Sequence, residues 1–180
     1  SLNQCFLDFG SDPLTNINRL TALFGELLGA DCALYSRFDG DMLYSWAQWR
    51  TPLDHNPLGE PDGSLCMEVI RGSSAQAVVV HDLQHSGYAS TDALIRSTGA
   101  RAFIGQAVQA ADGSVGALCA LFRHDVTPTP DDLSLIKTIA VAIGIEEKRR
   151  FAESATARQA RQMAALYETS LEIGSQRNMG

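Results

Sequence analysis

His81 and His85 stand four residues apart, the interval at which one face of a helix can offer two imidazoles to a metal ion. The residues before them argue against that use. Val78-Val79-Val80 predicts a strand running into a loop, and in extended chain an interval of four does not bring two rings together. Metal or haem chemistry is therefore not expected. The thiols are Cys5, Cys32, Cys66 and Cys119, with no Cys-x-x-Cys spacing among them. Three lie in apolar runs, where cysteine reads as a small, buried, reduced side chain, and only a lowered pKa would make Cys66 reactive. Scattered reduced thiols place the chain in the cytoplasm. No residue is assigned a catalytic role.

The elements that must position these groups begin with a helix. Pro13 follows Ser11-Asp12, and Leu14, Ile17, Leu20, Leu23, Phe24, Leu27 and Leu28 form an apolar stripe that Gly29 closes. Cys32–Phe38 and Met42–Trp49 read as a hairpin about Asp39-Gly40-Asp41, and the prolines and glycines of 50–63 read as a loop. Ser64 opens a short helix to Gly72, residues 77–81 form a strand, and Ser90 or Thr91 caps a second short helix. Two runs, 101–108 and 115–123, then flank an Asp112-Gly113 turn and are apolar on both faces, so both faces of their sheet are covered. Thr129, Pro130, Asp131 and Asp132 start a long helix whose stripe is Ile136, Ile139 and Ile143, while residues 146–150 are too charged to be expected in the core.

This order predicts an α+β fold: a central antiparallel sheet of five to six strands, with the N- and C-terminal helices on one face. The short helices and loops would roof a pocket on the other. Candidate pocket residues are Trp46, Trp49, Cys66, His81, Tyr88, Arg101, Phe103 and Cys119. The odd spacing of the two tryptophans directs one to each side of the sheet. Tyr88 falls in a loop that could act as a lid, and Arg101 stands either in water at the sheet's end or against an acidic group.

Of the 180 residues 14 are Lys or Arg and 21 Asp or Glu, a net charge of -7 without a basic stripe, which argues against nucleic acid as a partner. No apolar run approaches the roughly 18 to 20 residues of a membrane helix, so no direct membrane insertion is expected. A chain that opens on Ser1 is expected to be a piece of a longer protein.

The series Ala102-Phe103-Ile104-Gly105-Gln106-Ala107-Val108, Asp112-Gly113-Ser114-Val115-Gly116-Ala117-Leu118 and Thr129-Pro130-Asp131-Asp132-Leu133 resembles the second half of a GAF domain. The segments Ser64–Gly72, Val78–Leu83 and Leu94–Gly105 resemble its middle. The resemblance spans roughly residues 12–150. It implies a regulatory small-molecule pocket in a bacterial signalling protein of the histidine kinase or diguanylate cyclase type. Alternatives are a ligand-free dimerisation module and an enzyme like the sulfoxide-reducing members. The chromophore cysteine of bilin-binding members and the Asn-Lys, Phe, Asp-Glu series of cyclic-nucleotide members are not found, so the ligand stays unknown and no covalent bilin is expected.

Residues 151–180 contain no proline and are rich in helix formers, predicting a connector toward a downstream domain. A helix from Pro130 to Ile173 would run roughly 65 Å, beyond any single domain of this size. Ala152, Ala155, Met163, Leu166 and Ile173 can be set on one side of it, and a parallel homodimer through this helix is expected.

Overall fold

Asp12 stops the chain from fraying before Pro13: its carboxylate accepts the Thr15 N–H at 2.9 Å and caps a helix running Pro13–Leu28. The computed structural model describes residues 2–110 and 115–177, with side chains to Tyr167 in the last helix and none for Val115. The expected Asp112-Gly113 turn and the side chain of Ile173 lie outside the described residues.

In chain order the elements are α1 (Leu2–Leu7), α2 (Pro13–Leu28), β1 (Cys32–Asp39), β2 (Met42–Trp49), β3 (Leu58–Gly59), α3 (Leu65–Gly72) and β4 (Val78–Val80). They continue with α4 (Tyr88–Thr91), α5 (Ala93–Thr98), β5 (Ala102–Gln109), β6 (Val115–Phe122) and α6 (Pro130–Arg177). The six strands form one sheet in the order β3-β2-β1-β6-β5-β4, and every neighbouring pair is antiparallel. At the start of α6 the Thr129 hydroxyl accepts the Asp132 N–H at 3.2 Å while the Asp132 carboxylate accepts the Thr129 N–H at 2.8 Å, a reciprocal cap.

One sheet face carries Tyr35, Ile104, Leu118 and Phe122 against Ile17, Leu20 and Phe24 of α2 and Ile136, Ile139 and Ile143 of α6. Each large side chain buried there contributes about 1.5 to 3 kcal/mol. Leu14 and Leu27, placed on the α2 stripe by their spacing, are 37% and 43% exposed. The other face carries Leu34, Leu43, Phe103 and Leu121 beneath α3 and α5. Among the described residues no helix is long and apolar enough to cross a membrane.

The tryptophans depart from expectation. Tyr35 pairs with Ala47 and Ser36 with Ser45, so Trp46 is an extra residue on β2. That bulge resets the alternation. Trp46 and Trp49 consequently both pack on the helix face, and Trp49 lies over Gly25 of α2, where a Cβ would collide with its ring.

The second departure is the charged stretch of α6. Glu146 and Glu147, expected from their charge to stand outside the core, are 4% and 2% exposed. Asn16 Nδ2 donates to Glu146 Oε2 at 3.0 Å, and Arg37 pairs with Glu147 Oε2 at 3.0 Å. The Arg37 and Arg150 guanidinium groups lie 5.2 and 3.8 Å from the centroid of the Trp46 ring. These contacts tie α6 to the β1–β2 hairpin at the point where it leaves the domain.

Candidate functional site

Ser36 and Ser45 face each other across β1 and β2 on the side opposite Tyr35, and their hydroxyl oxygens are 3.2 Å apart. One hydroxyl donates to the other, which leaves one proton free for a third group. Above them the loop after β2 returns to pair β3 with Leu43 and Tyr44, and this brings His55 over the sheet. The space between is a cavity of about 370 Å³. Its floor is Leu34, Leu43, Phe103 and Leu121, and its walls are His55 and Leu58 from the loop, Cys66 from α3, and Asp92, Leu94 and Ile95 from α5. That volume lies in the range of small-molecule sites, and an apolar floor with a few convergent polar atoms is their usual construction.

His55 Nε2 is buried and has no hydrogen-bond partner among the described residues. Burial lowers the His55 pKa and the Asp92 carboxylate opposes that shift, so the ring is neutral at pH 7. His55 lines the cavity wall with a neutral imidazole whose Nε2 is buried, and a neutral ring of this kind can accept at one nitrogen and donate at the other. Asp92, 9% exposed, is fully engaged: Oδ2 accepts the Leu65 N–H at 3.0 Å, and Oδ1 accepts those of Leu94 and Ile95 at 3.0 and 3.2 Å. One carboxylate thus caps α5 and ties down the start of α3, holding the roof together.

A larger cleft of about 720 Å³ lies elsewhere, between Asp12–Leu14 and the part of α6 that includes Arg150, Glu153, Arg158 and Arg161. Its charged, exposed walls make it a groove at a helix junction, and the smaller cavity is the better candidate.

Of the residues proposed from sequence, Cys66 reaches the cavity wall and Phe103 its floor, and Cys119 lies fully buried with its sulfur 3.2 Å from that of Cys66. Trp46 and Trp49 are on the opposite face, for the reason given by the bulge. His81 is exposed after β4, and Arg101 is exposed at the end of the sheet, 3.9 Å from Asp125. His85 pairs with Asp82 at 2.7 Å on the surface. Tyr88 is half-buried at the start of α4, packed against the cluster under the roof without lining the cavity. Ala152, Ala155, Met163 and Leu166 are exposed along α6. Sequence reasoning missed Ser36, Ser45, His55 and Asp92. Only Asp92 had a legible signal, as a capping residue one position after Thr91.

A family profile described as the GAF domain matches residues 12–146. Among curated proteins no sequence relative matches. Among solved structures the chain is similar to free methionine-R-sulfoxide reductase from Neisseria meningitidis in complex with its substrate. Identity is 19%, the TM-score 0.66, and the match covers 84% of this chain and 89% of that one. It is similar to the blue-light absorbing form of the PixJ GAF domain of Thermosynechococcus elongatus, with 18% identity, TM-score 0.64 and coverage of 83% and 94%. The phycoerythrobilin-bound GAF domain of a cyanobacterial phytochrome matches with 15% identity, TM-score 0.61 and coverage of 85% and 91%. At these identities the likeness speaks to fold, and the profile speaks to family: this chain belongs to the GAF domain family.

Proposed function

We propose that this domain is a regulatory sensor of a small molecule in intracellular signal transduction, and that the occupancy of its cavity is passed on through α6, paired with α6 of a second copy. The observation that carries the reading is the roofed 370 Å³ cavity with polar atoms left unspent, above all His55 Nε2. A pocket filled by its own side chains, the alternative raised by the sequence, fits this volume poorly.

The strand geometry supplies a route outward. Ser36 and Ser45 face the cavity, while the next residue of each strand, Arg37 and Trp46, faces α6 and holds Glu147 and Arg150. A ligand seated on the serines lies one residue from the contacts that fix the exit of α6. Along that helix Val141 and Ile145 are 57% and 58% exposed, and Ala152 and Ala155 continue their line, which supports pairing with a second copy.

The test is a thermal-shift panel of nucleobases, nucleotides, amino acids and aromatic acids on the wild type and on Ser45→Phe, whose ring would intrude into the cavity. A ligand at a hundredfold its Kd adds about 2.7 kcal/mol, or roughly 5 to 10 °C for a domain of this size. The shift is expected in the wild type and lost in the variant. Equal shifts in both, or none in either, would count against the reading.

A further inference from the structure

At one point α3 meets the sheet where the sheet has no side chain to hold it off. A Cβ on Gly105 would stand 2.7 Å from Val69 Cγ2 of α3 and 2.6 Å from the Phe103 ring, so only glycine permits the approach. Gly105 pairs with Cys119 across β5 and β6, and Cys66 lies one helical turn before Val69 on the same face of α3. The approach therefore brings Cys66 Sγ to 3.2 Å from Cys119 Sγ. Both are free thiols, 6% and 0% exposed, and Cys66 forms part of the cavity wall. The sulfurs need close by only about 1.1 Å to reach the roughly 2.05 Å of a disulfide.

We propose that Cys66 and Cys119 form an oxidisable dithiol whose oxidant is a hydroperoxide small enough to enter through the cavity. The Cys66 thiolate attacks one peroxide oxygen and the O–O bond breaks, giving a sulfenic acid and releasing the other oxygen as water or an alcohol. The Cys119 sulfur then attacks the Cys66 sulfur, the S–O bond breaks, and the hydroxyl leaves as water with the proton from Cys119. Two thiols lose two electrons and two protons, and hydrogen peroxide becomes two waters. Cys66 lines the cavity and Cys119 does not, so Cys66 meets the peroxide and Cys119, whose thiol burial and the contact with Cys66 push up, is the resolving partner. The bond would pin α3, a wall of the cavity, to β6. Redox state then sets how far that wall can move, whatever ligand the cavity holds.

The test exposes the whole chain to millimolar hydrogen peroxide in mildly alkaline buffer, followed by intact mass measurement and unreduced peptide mapping. The expected result is loss of the mass of two hydrogens and one cross-linked peptide joining Cys66 to Cys119, reversed by dithiothreitol. Cys119→Ala should stop at a Cys66 sulfenic acid that dimedone traps, while Cys32→Ala should leave the cross-link unchanged. Four thiols surviving the treatment, oxygen added without a cross-link, or a cross-link through Cys5 or Cys32 would each overturn the proposal. The wild-type measurement decides the matter even where a variant folds poorly.

Discussion

Replacing Arg37 with methionine is expected to cost the domain about 3 to 5 kcal/mol, the range for removing one partner of a buried ion pair. Glu147 is 2% exposed on its side chain and Arg37 13%, and their 3.0 Å contact spans β1 and α6. Methionine keeps most of the volume but leaves the carboxylate uncompensated in a place water does not reach. The urea midpoint should fall accordingly. Adding Glu147→Leu should restore much of the loss, because an apolar pair of similar size replaces a buried ion pair at little net cost. A single Arg37→Met variant within about 1 kcal/mol of the wild type, the value of a surface pair, would show that Glu147 is solvated.

Asp92→Ala should be nearly as damaging, by about 2 to 4 kcal/mol. Loss of the α5 cap accounts for about 1 kcal/mol, and the orphaned Leu65 N–H for about 1 to 3 kcal/mol more. Asp92→Asn should lose roughly half as much, since its amide oxygen can still accept from Leu94 and Ile95 while its NH₂ cannot accept from Leu65. Hydrogen exchange should speed up at the starts of α3 and α5 and stay unchanged in β6. Uniform acceleration across the sheet would mean that Asp92 supports the whole domain rather than the roof alone.

Local signals in the sequence were enough for most of the fold. Pro13 and Gly29 bracket α2, Asp39-Gly40-Asp41 turns β1 into β2, and Thr129 to Asp132 start α6, each through contacts only a few residues apart. The helices lie on the expected face because their stripes are apolar and continuous. What escaped depends on partners far along the chain. Glu147 is buried by an arginine 110 positions away and Glu146 by an asparagine 130 away, and neither pairing leaves a local trace. The two residues of β3 are too few to show a period, so the fold of the 50–63 loop over the sheet, and with it His55, stayed hidden. One extra residue at Trp46 reversed the expected facing of the tryptophans. Cys66 and Cys119, 53 positions apart, read as separate small core residues until the missing side chain of Gly105 let α3 close on β6.

The claim that the cavity reports through paired α6 helices is tested most directly by light scattering at micromolar concentration. The account predicts twice the 19.4 kDa chain mass, and weaker association without loss of cooperative unfolding once the chain is cut after Arg150. A scattering mass of one chain, with rapid proteolysis from Phe151 onward, would contradict it.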